Sequence, residues 1–144
     1  MEKLIIVRHG DYDGGGLTEL GQSQIVALAE KLKSVVNGGS VRVLSSSALR
    51  ALKSAEIISV TLGLQFEVRG VLYSPPFDYE GVLRLITESI DKYTTLLLVG
   101  HLECAECLPW YFGSKLLGKA LESSKIKKGQ ALVIDCVSKS IEPV

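Results

Sequence analysis

The chain has two histidines, and each comes directly after a short apolar run. His9 follows Leu4–Val7 and Arg8, and His101 follows Leu96–Gly100. Short runs rich in Leu, Ile and Val are typical of buried strands in a parallel sheet, and ligands bind at the carboxyl ends of such strands. Both histidines are therefore expected at one edge of one sheet.

Two arginines are expected beside these histidines. Arg8 precedes His9, and Arg50 lies in the first turn of a predicted helix, away from its apolar positions. A guanidinium fork matches two phosphate oxygens, and a neutral imidazole can attack phosphorus through one nitrogen while a backbone carbonyl holds the other. The residues thus predict phosphoryl transfer, with His9 as nucleophile and Arg8, Arg50 and a protonated His101 as oxygen ligands. Taken alone, Arg8 and His9 could equally be a solvated strand end.

A second group of residues that could do chemistry is His101, Cys104 and Cys107, with Cys136 elsewhere. A Cys-x-x-Cys spacing is found in zinc sites and in thiol redox sites. The sequence offers no second ligand pair, and His101 is already assigned to the phosphate site. Cysteines three residues apart on a helix can also simply face the core, which is the favoured interpretation, so no metal is predicted.

The elements that would position these residues follow from the hydrophobic pattern. The pattern predicts strands at 41–44, 65–68, 96–100, 131–135 and 140–144 after the first one, and helices at 18–37, 48–62, 82–92 and 104–112. Strands that alternate with helices imply parallel crossovers. The expected fold is a single α/β domain over residues 1–144, a three-layer α/β/α sandwich with a mostly parallel central sheet and an antiparallel edge strand.

The composition limits the partners. The 16 basic and 16 acidic residues balance, so the chain has no large net field with which to hold nucleic acid or an anionic membrane. The first apolar run is far shorter than a signal h-region or a membrane span. Three cysteines are too few for a disulfide framework, which agrees with a reducing compartment. A soluble, cytoplasmic protein is expected.

Four short motifs follow one another along the chain: Arg8-His9-Gly10, Leu17-Thr18-x-x-Gly21, Ser46-x-x-x-Arg50-x-x-x-Ser54-Ala55 and Gly100-His101. In this order they resemble the signatures of the histidine phosphatase superfamily, also called the phosphoglycerate mutase-like proteins. The resemblance implies catalytic roles for Arg8, His9, Arg50 and His101. The short chain, Asp11 after the first motif and the Lys128-Gly129-Gln130 turn look most similar to the phosphohistidine phosphatases of SixA type.

Two features depart from the family pattern. Larger members carry a glutamate proton donor in a Leu-x-Glu context after the third strand, whereas Val71–Ser74 contains no carboxylate. SixA-like proteins often follow the second histidine with Asn-Pro, whereas this chain has Leu102-Glu103. Substitute acids are sought among the nearest loop carboxylates, Asp11, Asp78 and Glu80, with Asp11 favoured because it lies two residues after His9. Each of the three could equally be a solvated loop carboxylate.

The missing donor bears on the expected substrate. An alkoxide leaving group needs an acid, whereas the imidazole that leaves phosphohistidine can depart already protonated from solution. The sequence therefore predicts a metal-independent, cofactor-free phosphatase acting on protein phosphohistidine. The alternatives are a phosphatase of a small phosphate ester, such as a sugar phosphate or a nucleotide-related metabolite, and a non-catalytic phosphate-binding module. A mutase is disfavoured because so short a chain has little room for capping insertions.

Overall fold

The apolar runs form the strands of a six-stranded sheet in the computed structural model, which describes residues 1–144. The strands are β1 (Lys3–Arg8), β2 (Tyr12–Asp13), β3 (Gly16–Leu17), β4 (Val41–Ser45), β5 (Phe66–Val68), β6 (Thr95–Gly100), β7 (Ala131–Asp135) and β8 (Ser140–Pro143). The helices are α1 (Glu19–Val35), α2 (Leu49–Leu62), α3 (Tyr79–Ser89) and α4 (Leu102–Phe112). None of these helices has the length and apolar content needed to cross a membrane.

The strands of the large sheet lie in the order β5-β4-β6-β1-β7-β8, and β2 pairs with β3 in a separate hairpin. The strands β5, β4, β6 and β1 run parallel, while β7 is antiparallel to β1 and β8 is antiparallel to β7. The antiparallel part therefore has two strands rather than one. The strand β6 lies between β1 and β4, so the first two long strands of the chain are not neighbours.

Alternate residues of the central strands face opposite layers of helices. Ile5 and Val7 of β1 pack in one apolar cluster with residues of α1 and α2. Leu4 and Ile6 pack in the other cluster, with residues of α3 and α4. All four residues are fully buried. The predicted three-layer sandwich with a mostly parallel sheet is confirmed.

Local hydrogen bonds decide where the helices begin. The Asp78 carboxylate accepts from Gly81 N at 2.9 Å and caps α3, which therefore begins at Tyr79 and not at residue 82. The helix α4 begins at Leu102, directly after His101. Residues 113–117 form a single π-helical turn, in the stretch for which the sequence pattern predicted no definite element.

Two glycines bring α1 close to the loop that follows β1. A Cβ atom at Gly21 would overlap the backbone carbonyl of Asp11, and one at Gly10 would come within 2.7 Å of the Gly21 carbonyl oxygen. Thr18 caps the same end of α1, because its hydroxyl accepts from Gly21 N at 3.0 Å. The Leu17-Thr18-x-x-Gly21 motif thus holds the loop that contains His9 against the first turn of α1.

We expect Gly21→Ala to destabilise the fold, because the backbone of Asp11 has to move to admit a methyl group. Overpacking of this kind costs about 1–3 kcal/mol. Thermal denaturation measures the loss. Gly14→Ala is the matched control, since a Cβ atom at that exposed turn meets nothing within 4 Å. Equal melting temperatures for the two variants would show that the close approach at Gly21 does not determine the stability of the fold.

Candidate active site

The two histidines leave neighbouring parallel strands at the same height. Arg8 of β1 is in register with Gly100 of β6, and His9 N donates to the Gly100 carbonyl at 3.0 Å. On the other side of β6, Ser46 N donates to the Val99 carbonyl at 2.9 Å. His9, His101 and Ser46 therefore meet at the carboxyl edge of the sheet, as expected of the two histidines.

The hydrogen bonds of His9 define its tautomer. Its Nδ1 lies 2.9 Å from the Gly10 carbonyl oxygen, which can only accept, so Nδ1 carries the proton. Its Nε2 accepts from Arg50 Nε at 3.2 Å and therefore has a lone pair on the side that faces the guanidinium. This is the arrangement that a nucleophilic imidazole requires.

Arg50 contacts both histidines. While its Nε donates to His9, its Nη2 lies 3.3 Å from Nδ1 of His101. The guanidinium carbon lies 4.7 Å from the Tyr12 ring centre and 5.9 Å from that of Tyr73, so aromatic rings hold it from two directions.

Ser54 connects Arg50 to the loop of His9. The Ser54 hydroxyl donates to the Arg50 carbonyl at 2.8 Å and accepts from Gly10 N at 3.1 Å. It lies one turn after Arg50 on α2 and is fully buried. The serine that closes the Ser46-x-x-x-Arg50-x-x-x-Ser54 motif therefore fixes α2 against the end of β1.

Ser46 completes the environment of His101. Its hydroxyl lies 2.8 Å from His101 Nε2 and accepts from Ala48 N at 3.3 Å. Because an arginine can only donate to Nδ1, the neutral His101 carries its proton on Nε2 and donates it to Ser46. Ser46 had no predicted role. Its place at the start of the Ser46-x-x-x-Arg50 motif was the signal that could have indicated one.

Arg8 keeps donors available for an anion. Its Nη1 donates to the Ile126 carbonyl at 3.0 Å, whereas its Nε is buried without a hydrogen-bond partner. The turn before β7 holds the same strand end, because Gly129 N lies 3.1 Å from the Arg8 carbonyl and 3.0 Å from that of His9. A buried guanidinium with an unused donor favours a negatively charged ligand.

These side chains surround one cleft of about 210 Å³. The residues that line it are Arg8, His9, Tyr12, Arg50, Ser74, Pro75, His101, Leu102, Glu103 and Lys128. The structure thus brings together all four residues that the sequence assigned to a phosphate site. Tyr12, Ser74, Glu103 and Lys128 are additional polar residues that the sequence analysis did not assign to it.

Both histidines are neutral at pH 7. Burial, together with the positive charges of Arg50, Arg8 and Lys128, lowers the pKa of His9 to about 4. Burial, together with Arg50 and His9, lowers the pKa of His101 to about 4 as well. The expectation that His101 works in its protonated form therefore does not describe the free protein, in which His101 is a neutral Nε2–H tautomer.

The three carboxylates considered as acids lie outside the cleft lining. The Thr18 hydroxyl donates to Asp11 at 2.8 Å and Lys128 pairs with it at 3.4 Å, and these contacts hold the pKa of Asp11 below its usual range. Asp78 caps α3, and Glu80 is exposed on the same helix. The carboxylate in the cleft is Glu103, which the sequence analysis noted only as a departure from Asn-Pro.

The cysteines have surroundings of a different kind. Cys104 packs in the apolar core, where burial raises its pKa to about 12. Cys107 lies on the same helix, and all three cysteines are free. No three potential metal ligands among histidine, cysteine, aspartate and glutamate come together in the structure. Cys104 is therefore a core residue, as the favoured interpretation of the Cys-x-x-Cys spacing predicted, whereas Cys107 is only half-buried and lies outside both apolar clusters.

A comparison with protein families matches residues 3–73, which include Arg8, His9, Ser46 and Arg50, to the histidine phosphatase superfamily (branch 1). The match takes in the first three motifs, whereas Gly100-His101 lies beyond it. The resemblance to the superfamily is confirmed, and the protein is a hydrolase of the phosphatase class. No curated protein matches the chain by sequence.

Solved structures of phosphatases share the fold along nearly the whole chain. The protein histidine phosphatase SixA complexed with tungstate has a TM-score of 0.73 at 23% identity, over 99% of this chain and 94% of that one. A candidate SixA from Nakamurella multipartitia has 0.75 at 20%, over 99% and 93%. Mycobacterial glucosyl-3-phosphoglycerate phosphatase Rv2419c has 0.71 at 17%, over 100% and 97%. At these identities the likeness shows the fold.

The lowered pKa values predict that both imidazoles stay neutral until the pH falls to about 4, well below the ordinary value of 6.5. Ring nitrogen NMR shifts in phosphate-free buffer should show Nδ1–H for His9 and Nε2–H for His101. Titration should place both midpoints near 4 rather than near 6.5. A midpoint near 6.5 for His9 would mean that its ring is solvated and not enclosed by the cations of the cleft.

Proposed function

We propose that the protein hydrolyses phosphoryl groups through a phosphohistidine intermediate on His9, without a metal ion, and that its substrate is protein phosphohistidine. The observation that carries the proposal is the pair of hydrogen bonds on His9, with Nδ1 held by the Gly10 carbonyl at 2.9 Å and Nε2 directed to Arg50 at 3.2 Å. A neutral nucleophile is thereby oriented beside the cation that binds its target.

The cleft has the charges that a transferring phosphoryl group needs. Negative charge spreads over its peripheral oxygens in the transition state, and fixed donors aimed at those oxygens lower the barrier. Arg8 has an unpaired buried Nε. Arg50 donates to neutral imidazole nitrogens, which are weaker acceptors than phosphate oxygens. An entering anion can therefore take over the hydrogen bonds of Arg50. His101 gains a donor on Nδ1 once an anion beside it favours the protonated ring.

The reaction takes two displacements at phosphorus. The Nε2 lone pair of His9 attacks, the bond to the leaving group breaks, and phospho-His9 forms while Nδ1–H stays on the Gly10 carbonyl. Water then attacks phospho-His9, and the phosphorus–nitrogen bond breaks with its electron pair returning to Nε2. The arginine side chains of the cleft stabilise the negative charge in both steps. The proposed mechanism therefore uses only groups of the chain itself.

Two features support phosphohistidine as the substrate. Tyr12 and Tyr73, which are 41% and 47% exposed, both have their rings near the Arg50 guanidinium and offer aromatic surface to a leaving imidazole. Of the solved structures that share the fold, one is the protein histidine phosphatase SixA. Free thiols at all three cysteines agree with the reducing cytoplasm expected for such an enzyme.

A small phosphate ester is the second candidate substrate. The mycobacterial glucosyl-3-phosphoglycerate phosphatase shares the fold at 17% identity. Glu103 places in the cleft a carboxylate of the kind that an ester leaving group requires.

His9→Ala should abolish turnover, because the nucleophile is lost. Incubation of the native protein with a labelled phosphoryl donor in EDTA should place acid-labile label on His9. A melting curve controls for folding, since His9 is only 4% exposed. Label on a serine or cysteine would contradict the mechanism, and phosphate binding without any label would identify a binding module.

Arg50→Lys should not preserve activity, because the lysine ammonium is a point charge and lacks the planar fork that binds two phosphate oxygens. The loss should be roughly a hundredfold or more in kcat/KM, equivalent to about 2–4 kcal/mol of transition-state stabilisation. Arg84→Lys, an exposed arginine on α3, is the matched control and should keep full activity. If Arg50→Lys kept the native rate, Arg50 would not contact the transferring phosphoryl group.

A further inference from the structure

We infer that Glu103 is the proton donor of this site and that Ser74 positions it, which gives the enzyme an activity on phosphate esters with poor leaving groups. The inference rests on the proposed phospho-His9 mechanism and concerns the step that the missing glutamate at Val71–Ser74 would otherwise leave without an acid. That segment contains no carboxylate. The structure instead places a carboxylate of α4 beside it.

Glu103 lies in the first turn of α4, two residues after His101, and lines the same cleft as His9. The Ser74 hydroxyl donates to its Oε2 at 3.0 Å. Ser74 is itself only 1% exposed and also lines the cleft, so the hydrogen bond fixes the carboxylate on the cleft wall. The other oxygen, Oε1, accepts no hydrogen bond from the protein and is free to carry a proton.

The loop between β5 and α3 contributes the hydroxyl group of Ser74, which holds a carboxylate that comes from α4. No positive side chain pairs with Glu103, unlike Asp11, which is paired with Lys128.

The proton balance closes over the two steps. When His9 Nε2 attacks phosphorus, the electron pair of the breaking phosphorus–oxygen bond goes to the leaving alkoxide, and the Glu103 carboxyl group gives it a proton. Glu103 is then a carboxylate. In the second step it takes a proton from the attacking water as the phosphorus–nitrogen bond breaks, so the free enzyme and inorganic phosphate are regenerated.

The test compares Glu103→Gln with the native enzyme on three substrates that differ in their need for an acid. For glycerol phosphate, an alkyl ester, kcat/KM should fall by about 10²–10⁴. For p-nitrophenyl phosphate and for a phosphohistidine peptide, whose leaving groups depart without enzymatic help, kcat/KM should change by less than roughly tenfold on the same reasoning. Because the second step loses its base, phospho-His9 should accumulate when the variant is given p-nitrophenyl phosphate.

Two further variants separate a chemical role from a structural one. Glu106→Gln removes the same charge from an exposed position one turn along α4 and should leave all three rates unchanged. Ser74→Ala should lower the rate on the alkyl ester selectively, by less than Glu103→Gln does, because it loosens the acid without removing it.

Several results would overturn the assignment. Native enzyme that turns over p-nitrophenyl phosphate but not glycerol phosphate has no working acid. Equal losses on all substrates in Glu103→Gln would indicate a role in binding or folding, and no loss would remove Glu103 from the reaction. Failure of the proposed function looks different, because native enzyme would then form no phospho-His9 with any of the three donors.

Discussion

The guanidinium of Arg50 hydrogen-bonds to an imidazole nitrogen of both histidines, and the rest of the site depends on this contact. It requires each ring to present a lone pair, which the Gly10 carbonyl ensures for His9 and Ser46 ensures for His101. Two neutral bases around a permanent cation can remain buried because each lone pair is satisfied. The same arrangement leaves a positively charged cleft that an anion can enter.

The fold makes that contact possible by placing β6 between β1 and β4. Arg50 comes from the helix after β4, and it reaches His9 across the end of β6, from which His101 emerges. Ser54 and Gly129 both bond to the backbone at the end of β1, so the proposed nucleophile His9 is positioned by the backbone and the core. Rigid support of this kind is what in-line displacement at phosphorus demands.

The sequence was sufficient for the fold class, for the six strands of the large sheet and for the grouping of the two arginines and two histidines around one cleft. Buried apolar runs and motif spacing are local properties. The sequence could not supply the strand order, since nothing local in β1 or β4 indicates that a later strand inserts between them. Glu103 was not considered as an acid for a similar reason. Its hydrogen-bond partner Ser74 lies 29 residues away in the chain. The partners of Asp11, Thr18 and Lys128, could not be predicted either, because closeness in sequence to His9 does not indicate which side chains the fold brings to it.

Two of the three thiols, those of Cys104 and Cys136, are protected from oxidation by their surroundings. Burial raises the pKa of Cys104 to about 12 and that of Cys136 to about 11, so neither forms the thiolate that peroxide attacks at neutral pH. The proposed nucleophile is an imidazole, which does not enter the sulfenic acid pathway at all. Oxidative stress, which silences phosphatases built on a reactive cysteine, would leave this site able to turn over.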